Sequence, residues 1–209
     1  MQIESIANDA DRAGRYLVKF SDGSVMRLYR QTVEDFGLYS GKLLTEQELS
    51  SLRTAAGQMS AKMRAVRIVA AANVSRRDLE QRLIHKGESP QQAKEAVQWM
   101  EDLQLVDDSR TAEQLVQQCI RKGYGLARAR QMLYEKQIPK QLWQKVLSGY
   151  PDQQESITAF LQTHLPEDCG PKDMKRAVDG LLRRGHSYSQ IRAALARLKV
   201  HEDQFPEEF

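Results

Sequence analysis

The chain reads as a mainly α-helical protein, an elongated array of three tandem three-helix repeats preceded by a small N-terminal β-hairpin or sheet extension. Three observations predict this. A capped helical hairpin over residues 75–108, SRRDLEQRLIHKGESPQQAKEAVQWMEDLQLVDD, recurs twice downstream, at offsets of 50 and 48 residues. Each copy follows another stretch whose apolar residues fall at helical spacing. The first 30 residues lack that spacing and alternate instead, in the manner of strands.

Residues 1–57 form the extension. GRYLVKF and SVMRLYR alternate, with Tyr16, Val18 and Phe20 set against Val25 and Tyr29, and QIESIA is a third candidate strand. Ser21-Asp22-Gly23 between them is a hairpin turn signal, since glycine supplies the positive φ that such turns use. TVEDFGL reads as a short helix, and Gly37 and Gly41 mark loops. Thr45 opens a longer helix, with Glu48 three residues on completing a capping box, and Gly57 is a point to kink or end it.

The first repeat spans residues 58–106. Met63, Val66 and Ala70 form the stripe of its first helix, and Asn73 stops it. Ser75 caps the second helix ahead of Leu79 and Leu83, and Gly87 is a left-handed stop. Ser89, Pro90 and Gln92 open the third, whose stripe is Ala93, Val97 and Met100. The second repeat, 107–150, opens on Asp107-Asp108, carboxylates that suit a helix N-terminus. Its first stripe is Ala112, Leu115, Val116, Cys119 and Ile120. Its hairpin aligns Ala129, Leu133 and Lys136 with Leu79, Leu83 and Lys86, and Trp143 falls at a core position. The third repeat, 151–200, begins near Asp152 with the stripe Ile157, Phe160, Leu161, His164 and Leu165. A longer connector, PEDCGPK, leads to a hairpin that aligns Ala177, Leu181 and Arg184, with Ser187 and Gln190 as another capping box. Residues 201–209 form an acidic tail.

Composition bounds the function. Apolar residues make up 41% and charged residues 28% of 209, with no apolar run long enough to span a membrane, so a soluble, cytoplasmic protein is expected. Cys119 and Cys169 are the two cysteines, and a disulfide is not needed. His85, His164, His186 and His201 are scattered and share no metal-ligand spacing. No phosphate loop or nucleophile elbow occurs, so no catalytic residue, no metal and no cofactor is predicted, and a binding protein rather than an enzyme is the reading. The net charge of +3 is unevenly spread. Residues 58–124 carry a net +2, residues 125–150 a net +4, residues 172–200 a net +6 and the tail a net −4. Such concentration suits a polyanion or an acidic protein surface.

SRRDLEQRLIHKG, LVDDSRTAEQLVQ and KGYGLARARQMLYEKQIP occur in that order and resemble the signature of the RecX family, regulators of the RecA recombinase. The first resembles the family pattern S-x-x-E-L-x-x-K-L-x-x-K-G, with Asp78 for the acidic residue and Arg82 for the basic one. Asp107, Asp108, Arg110, Ala112, Gly123 and Arg128 stand where the family has similar residues. The resemblance covers about residues 60–200. The third repeat diverges, Gln137 replaces a glycine, and residues 1–57 look like an extension carried by some members. The resemblance implies a protein that binds the RecA filament on single-stranded DNA, lying in its groove and reducing its growth, ATP hydrolysis, strand exchange and coprotease activity. A monomer is expected, with contact to single- or double-stranded DNA proposed for some members. Partner-binding candidates on the basic second and third repeats are Arg121, Lys122, Arg128, Arg130, Lys136, Arg183, Arg184, Arg192 and Arg197, in charge pairing and steering roles. The competing reading is a stand-alone helical nucleic-acid-binding protein, which the modest net charge and missing aromatic platform disfavour.

Overall fold

The computed structural model describes residues 1–10, 14–166 and 169–198, and the chain divides into two compact units between Val106 and Asp107. The acidic tail lies outside the described residues.

The first unit begins with an antiparallel sheet of β1 (Ile3–Asn8), β2 (Arg15–Phe20) and β3 (Val25–Tyr29), in that order. The third strand expected from QIESIA is present. The inward face of β3 differs from the expected one. The loop Ser21–Gly23 spans three residues, so Phe20 meets Ser24, and Val18 and Tyr16 pair with Met26 and Leu28. In a pleated pair, directly opposed residues share a face. Val18, Phe20 and Leu28 are therefore buried, while Val25 is 51% exposed. The turn holds through Gly23 at φ +81° and the Asp22 carboxylate, which accepts from the Ser24 amide at 2.9 Å.

After the short α1 (Arg30–Asp35), α2 (Glu46–Ala71) runs unbroken for 26 residues from the Thr45–Glu48 capping box. Its first half sends Leu49 and Leu52 into the sheet cluster, and its second half sends Ala61 and Ala65 into the next. The division expected at residues 57 and 58 thus falls inside a helix. Gly57 does not interrupt α2. It gives room to the Gln92 side chain, which a Cβ would meet at 2.0 Å. Of the stripe Met63, Val66 and Ala70, Val66 packs against the second cluster, but Ala61 and Ala65 take the fully buried positions and Ala70 is exposed. Small alanines there let the neighbouring helices come close, which larger residues would prevent. Then come α3 (Arg76–His85), capped by Ser75, and α4 (Pro90–Asp102), capped by Ser89 with Gln92 completing the box. Leu79, Leu83, Ala93, Ala96, Val97 and Met100 complete a core around which α2, α3 and α4 close.

The second unit holds two further three-helix groups, each around its own apolar cluster. The first is α5 (Asp108–Arg121), α6 (Leu126–Glu135) and α7 (Lys140–Leu147), around Ala112, Leu115, Val116, Leu133 and Ile138. Asp107 caps α5 by accepting from the Ser109 and Arg110 amides. The second group is α8 (Gln154–His164), α9 (Pro171–Arg183) and α10 (Tyr188–Arg197), around Ile157, Leu161, Met174, Leu181, Ile191 and Leu195. His164, expected in the stripe of α8, is exposed, because that helix buries Ile157 and Leu161 and His164 follows beyond their face. Cys119 and Cys169 are not joined in a disulfide, and burial pushes the Cys119 thiol pKa up.

Candidate anion-binding cleft

The turn after α9 sets the geometry of the second unit. Gly185 ends the helix at φ +84° and lies so close to α6 that a Cβ would stand 2.3 Å from the Arg128 amide nitrogen. Gly125, the residue ahead of α6, has a hypothetical Cβ 2.0 Å from the Gly185 carbonyl oxygen. Two bare backbones therefore meet, and the Gly125 amide donates to the Arg184 carbonyl at 2.9 Å. His186 closes the joint. It is 4% exposed, and its Nε2 lies 3.0 Å from the Gly123 carbonyl oxygen. Burial pushes its pKa down, the bond to Gly123 pulls it up, and the Arg184 charge pushes it down again. The ring is thus neutral near pH 7 and donates Nε2–H to that carbonyl. The half-buried Tyr150 hydroxyl, its pKa pushed up to about 12 by desolvation, donates to the Tyr124 carbonyl at 2.6 Å.

This joint sets Arg128, in the first turn of α6, beside the last turn of α9. A cleft of about 480 Å³ opens there, lined by Tyr124, Arg128, Phe160, His164, Arg176, Gly180, Arg183 and Arg184. Arg176, Gly180, Arg183 and Arg184 follow at four- and three-residue steps along one side of α9. Gly180 has no side chain because Phe160 occupies that space, its Cζ 3.0 Å from where a Cβ would be. Phe160 in turn orients two cleft residues. His164 stacks on it with centroids 3.9 Å apart, and the Arg184 guanidinium lies 4.7 Å from its centroid. Among the described residues no carboxylate lines the cleft. Glu135 approaches Arg128 at 3.3 Å, but both are substantially exposed, so the pair neutralises little. Four guanidinium groups thus converge on an open trough, and such a site suits planar anions, carboxylate or phosphate, which arginine binds in a two-pronged fashion.

Of the sequence-predicted residues, the cleft brings together Arg128, Arg183 and Arg184. Lys122 stands near it, its ammonium 6.0 Å from the Tyr124 ring centroid. Arg121, Arg130, Lys136, Arg192 and Arg197 do not line it. Arg128 and Arg130 flank the buried Ala129 on opposite sides of α6, so the candidates do not form one face. Arg176 was missed. Its spacing to Gly180, Arg183 and Arg184 was the available signal. Among the described residues no group of histidines, cysteines and carboxylates could hold a metal ion, and no helix is long and apolar enough to cross a membrane.

Residues 107–147, which contain α5 to α7, match the family model described as RecX, second three-helix domain. Curated relatives named Regulatory protein RecX include those of Vibrio campbellii, 26% identical, and Vibrio vulnificus, 27% identical. Each match takes in 66% of this chain, and 91% and 92% of the respective relative. The fold is similar to a solved structure described as regulatory protein RecX, with TM-score 0.63 and 20% identity over 92% of this chain and 98% of that one. Coverage that wide takes in most of residues 1–57. A second solved structure, RecX from Lactobacillus salivarius, gives TM-score 0.58 at 20% identity over 69% of this chain and 97% of that one.

Proposed function

We propose that the chain is a member of the RecX family, a regulator that binds the RecA filament on single-stranded DNA and lowers its ATP hydrolysis, strand exchange and coprotease activity. It acts as a cytoplasmic monomer, by binding rather than by catalysis, with no cofactor of its own. The observation that carries the reading is the convergence of Arg128, Arg176, Arg183 and Arg184 on one cleft. A nucleoprotein filament presents both acidic side chains and phosphates, and four convergent guanidinium groups suit either. The remaining candidates, Arg121, Lys122, Arg130, Lys136, Arg192 and Arg197, add positive potential that speeds encounter. We keep the division into extension, three repeats and tail as part of this proposal.

The test is the rate of ATP hydrolysis by RecA on single-stranded DNA as this chain is titrated in. The intact chain inhibits, and Arg183→Glu with Arg184→Glu raises the concentration needed for half inhibition by at least about tenfold, the loss expected when charge pairs across an interface turn repulsive. A folded double variant that inhibits as well as the intact chain overturns the role of the cleft. The stand-alone nucleic-acid reading predicts tight, salt-sensitive DNA binding without RecA at the same cleft.

A further inference from the structure

A second groove, in the first unit, repeats the position of this cleft. It has about 480 Å³, lies between α2 and α3, and is lined by Arg64, Arg67, Ile68, Ala71, Ala72, Arg82 and Lys86. The correspondence is positional. Ala61 and Ala65 bury against α3 and α4 as Ile157 and Leu161 do in the third repeat, which places Arg64 at the position of Phe160 and Ile68 at that of His164. On the second helix of each repeat, Arg82 stands where Gly180 does and Lys86 where Arg184 does. The same inter-helix groove is thus basic in two repeats, yet the charge comes from different positions. In the third repeat the second helix supplies most of it, whereas in the first both helices contribute.

The first-unit groove is built as well as charged. Glu88, 8% exposed, fixes the Arg64 guanidinium at 2.9 Å, and Arg64 also donates to the Lys86 carbonyl. Asp78 fixes Arg82 at 2.7 Å. These two pairs set the walls and largely neutralise themselves. Arg67 and Lys86 are exposed, and neither has a carboxylate partner among the described residues. Arg67 is held instead by the Tyr29 hydroxyl oxygen, to which it donates at 2.7 Å. Two unneutralised cations therefore stand over an apolar strip of Ile68, Ala71 and Ala72.

We propose that this groove is a binding site for the phosphodiester backbone of single-stranded nucleic acid, separate from the cleft of the second unit. Phosphates engage Arg67 and Lys86, and sugars or bases lie along the strip. The strip favours this occupant over an acidic protein segment. It is shallow and floored by alanine, without the deep pocket in which a partner's aromatic or arginine side chain gains most of its energy. With no aromatic face among its described lining residues to stack bases, the groove engages a strand through its phosphates, contacts that position a backbone without reading its sequence.

The experiment measures affinity of the full chain for fluorescent oligo(dT), without RecA, at several salt concentrations. Arg67→Gln with Lys86→Gln removes two single-strand phosphate contacts, so the slope of log affinity against log salt becomes shallower by about 1.4. Lys86→Gln alone, at an exposed residue whose loss leaves both ion pairs intact, gives about half that change, and Lys86→Arg restores it. An unchanged slope in both glutamine variants overturns the proposal. So does competition by polyglutamate as effective as that by oligo(dT) at equal charge. Because RecA is absent, failure here leaves the proposed function standing. Failure of the Arg183 and Arg184 variant to relieve RecA inhibition leaves this groove standing.

Discussion

The turn between the second and third helices of each repeat is written three times, and its three copies carry different burdens. Gly87, Gln137 and Gly185 all have positive φ, at +92°, +54° and +84°. At Gly87 a Cβ would meet nothing within 4 Å, so only backbone conformation calls for glycine there. At Gly185 a Cβ would strike the Arg128 backbone, so the position is also a packing surface. The repeat thus fixes one local conformation. Only in the third copy does that turn become the joint holding Arg128 beside Arg184.

Breaking the joint gives the largest expected effect. Gly185→Ala forces a methyl group against backbone that cannot swing aside, and it destabilises the second unit by about 3 kcal/mol or more. Gly87→Ala incurs only the left-handed conformation, less the gain from a stiffer unfolded chain, and costs the first unit about 1 kcal/mol. The two tryptophans separate the readouts, because Trp99 lies in the first unit and Trp143 in the second. Urea unfolding followed by fluorescence, in Trp143→Phe and Trp99→Phe backgrounds respectively, assigns each loss to its unit. Equal losses at the two glycines would remove the distinction between a turn and a joint.

Much of this was legible in the sequence, for reasons that differ by element. The caps at Thr45, Ser75, Ser89, Asp107 and Ser187 were readable because a cap is a local bond between residues a few positions apart. The buried stripe of Leu79, Leu83, Leu133 and Leu181 was readable because helical periodicity and the repeat reinforce each other. The inward face of β3 was not, since one residue of loop length decides it. Gly57 was misread as a break because its reason, the Gln92 side chain, is 35 positions away. The same limit applies to the cleft. Charge density pointed to the second and third repeats, but the choice of Arg128 over Arg130, and the inclusion of Arg176, depend on the contact of Gly125 with Gly185.

His186 makes the joint sensitive to acid. Its pKa is lowered in the folded chain from the ordinary 6.5, first by burial. Below that ordinary value the unfolded chain binds the proton first, so stability is complete above about pH 6.5 and falls as pH drops through it towards the folded pKa. The groups facing the ring are Arg184, whose charge opposes protonation, and the Gly123 carbonyl. Unfolding of the second unit, read by Trp143 at pH 7.5 and at lower pH, carries this slope. His186→Gln, which keeps an amide donor for Gly123 and cannot titrate, flattens it. A slope that survives the substitution would assign the acid sensitivity elsewhere.

The smallest effect separates conformation from packing at the middle copy. Gln137 adopts a left-handed backbone at about 1–2 kcal/mol relative to glycine, and glycine would give back about half of that through the looser unfolded chain. Gln137→Gly should therefore stabilise the second unit by about 0.5 kcal/mol in the Trp99→Phe background. A destabilisation would mean that the side-chain interactions of Gln137 outweigh its backbone strain, and that the middle turn, like the third, does more than end a helix. The three copies would then rank by how much each turn holds, with Gly87 alone as a plain stop.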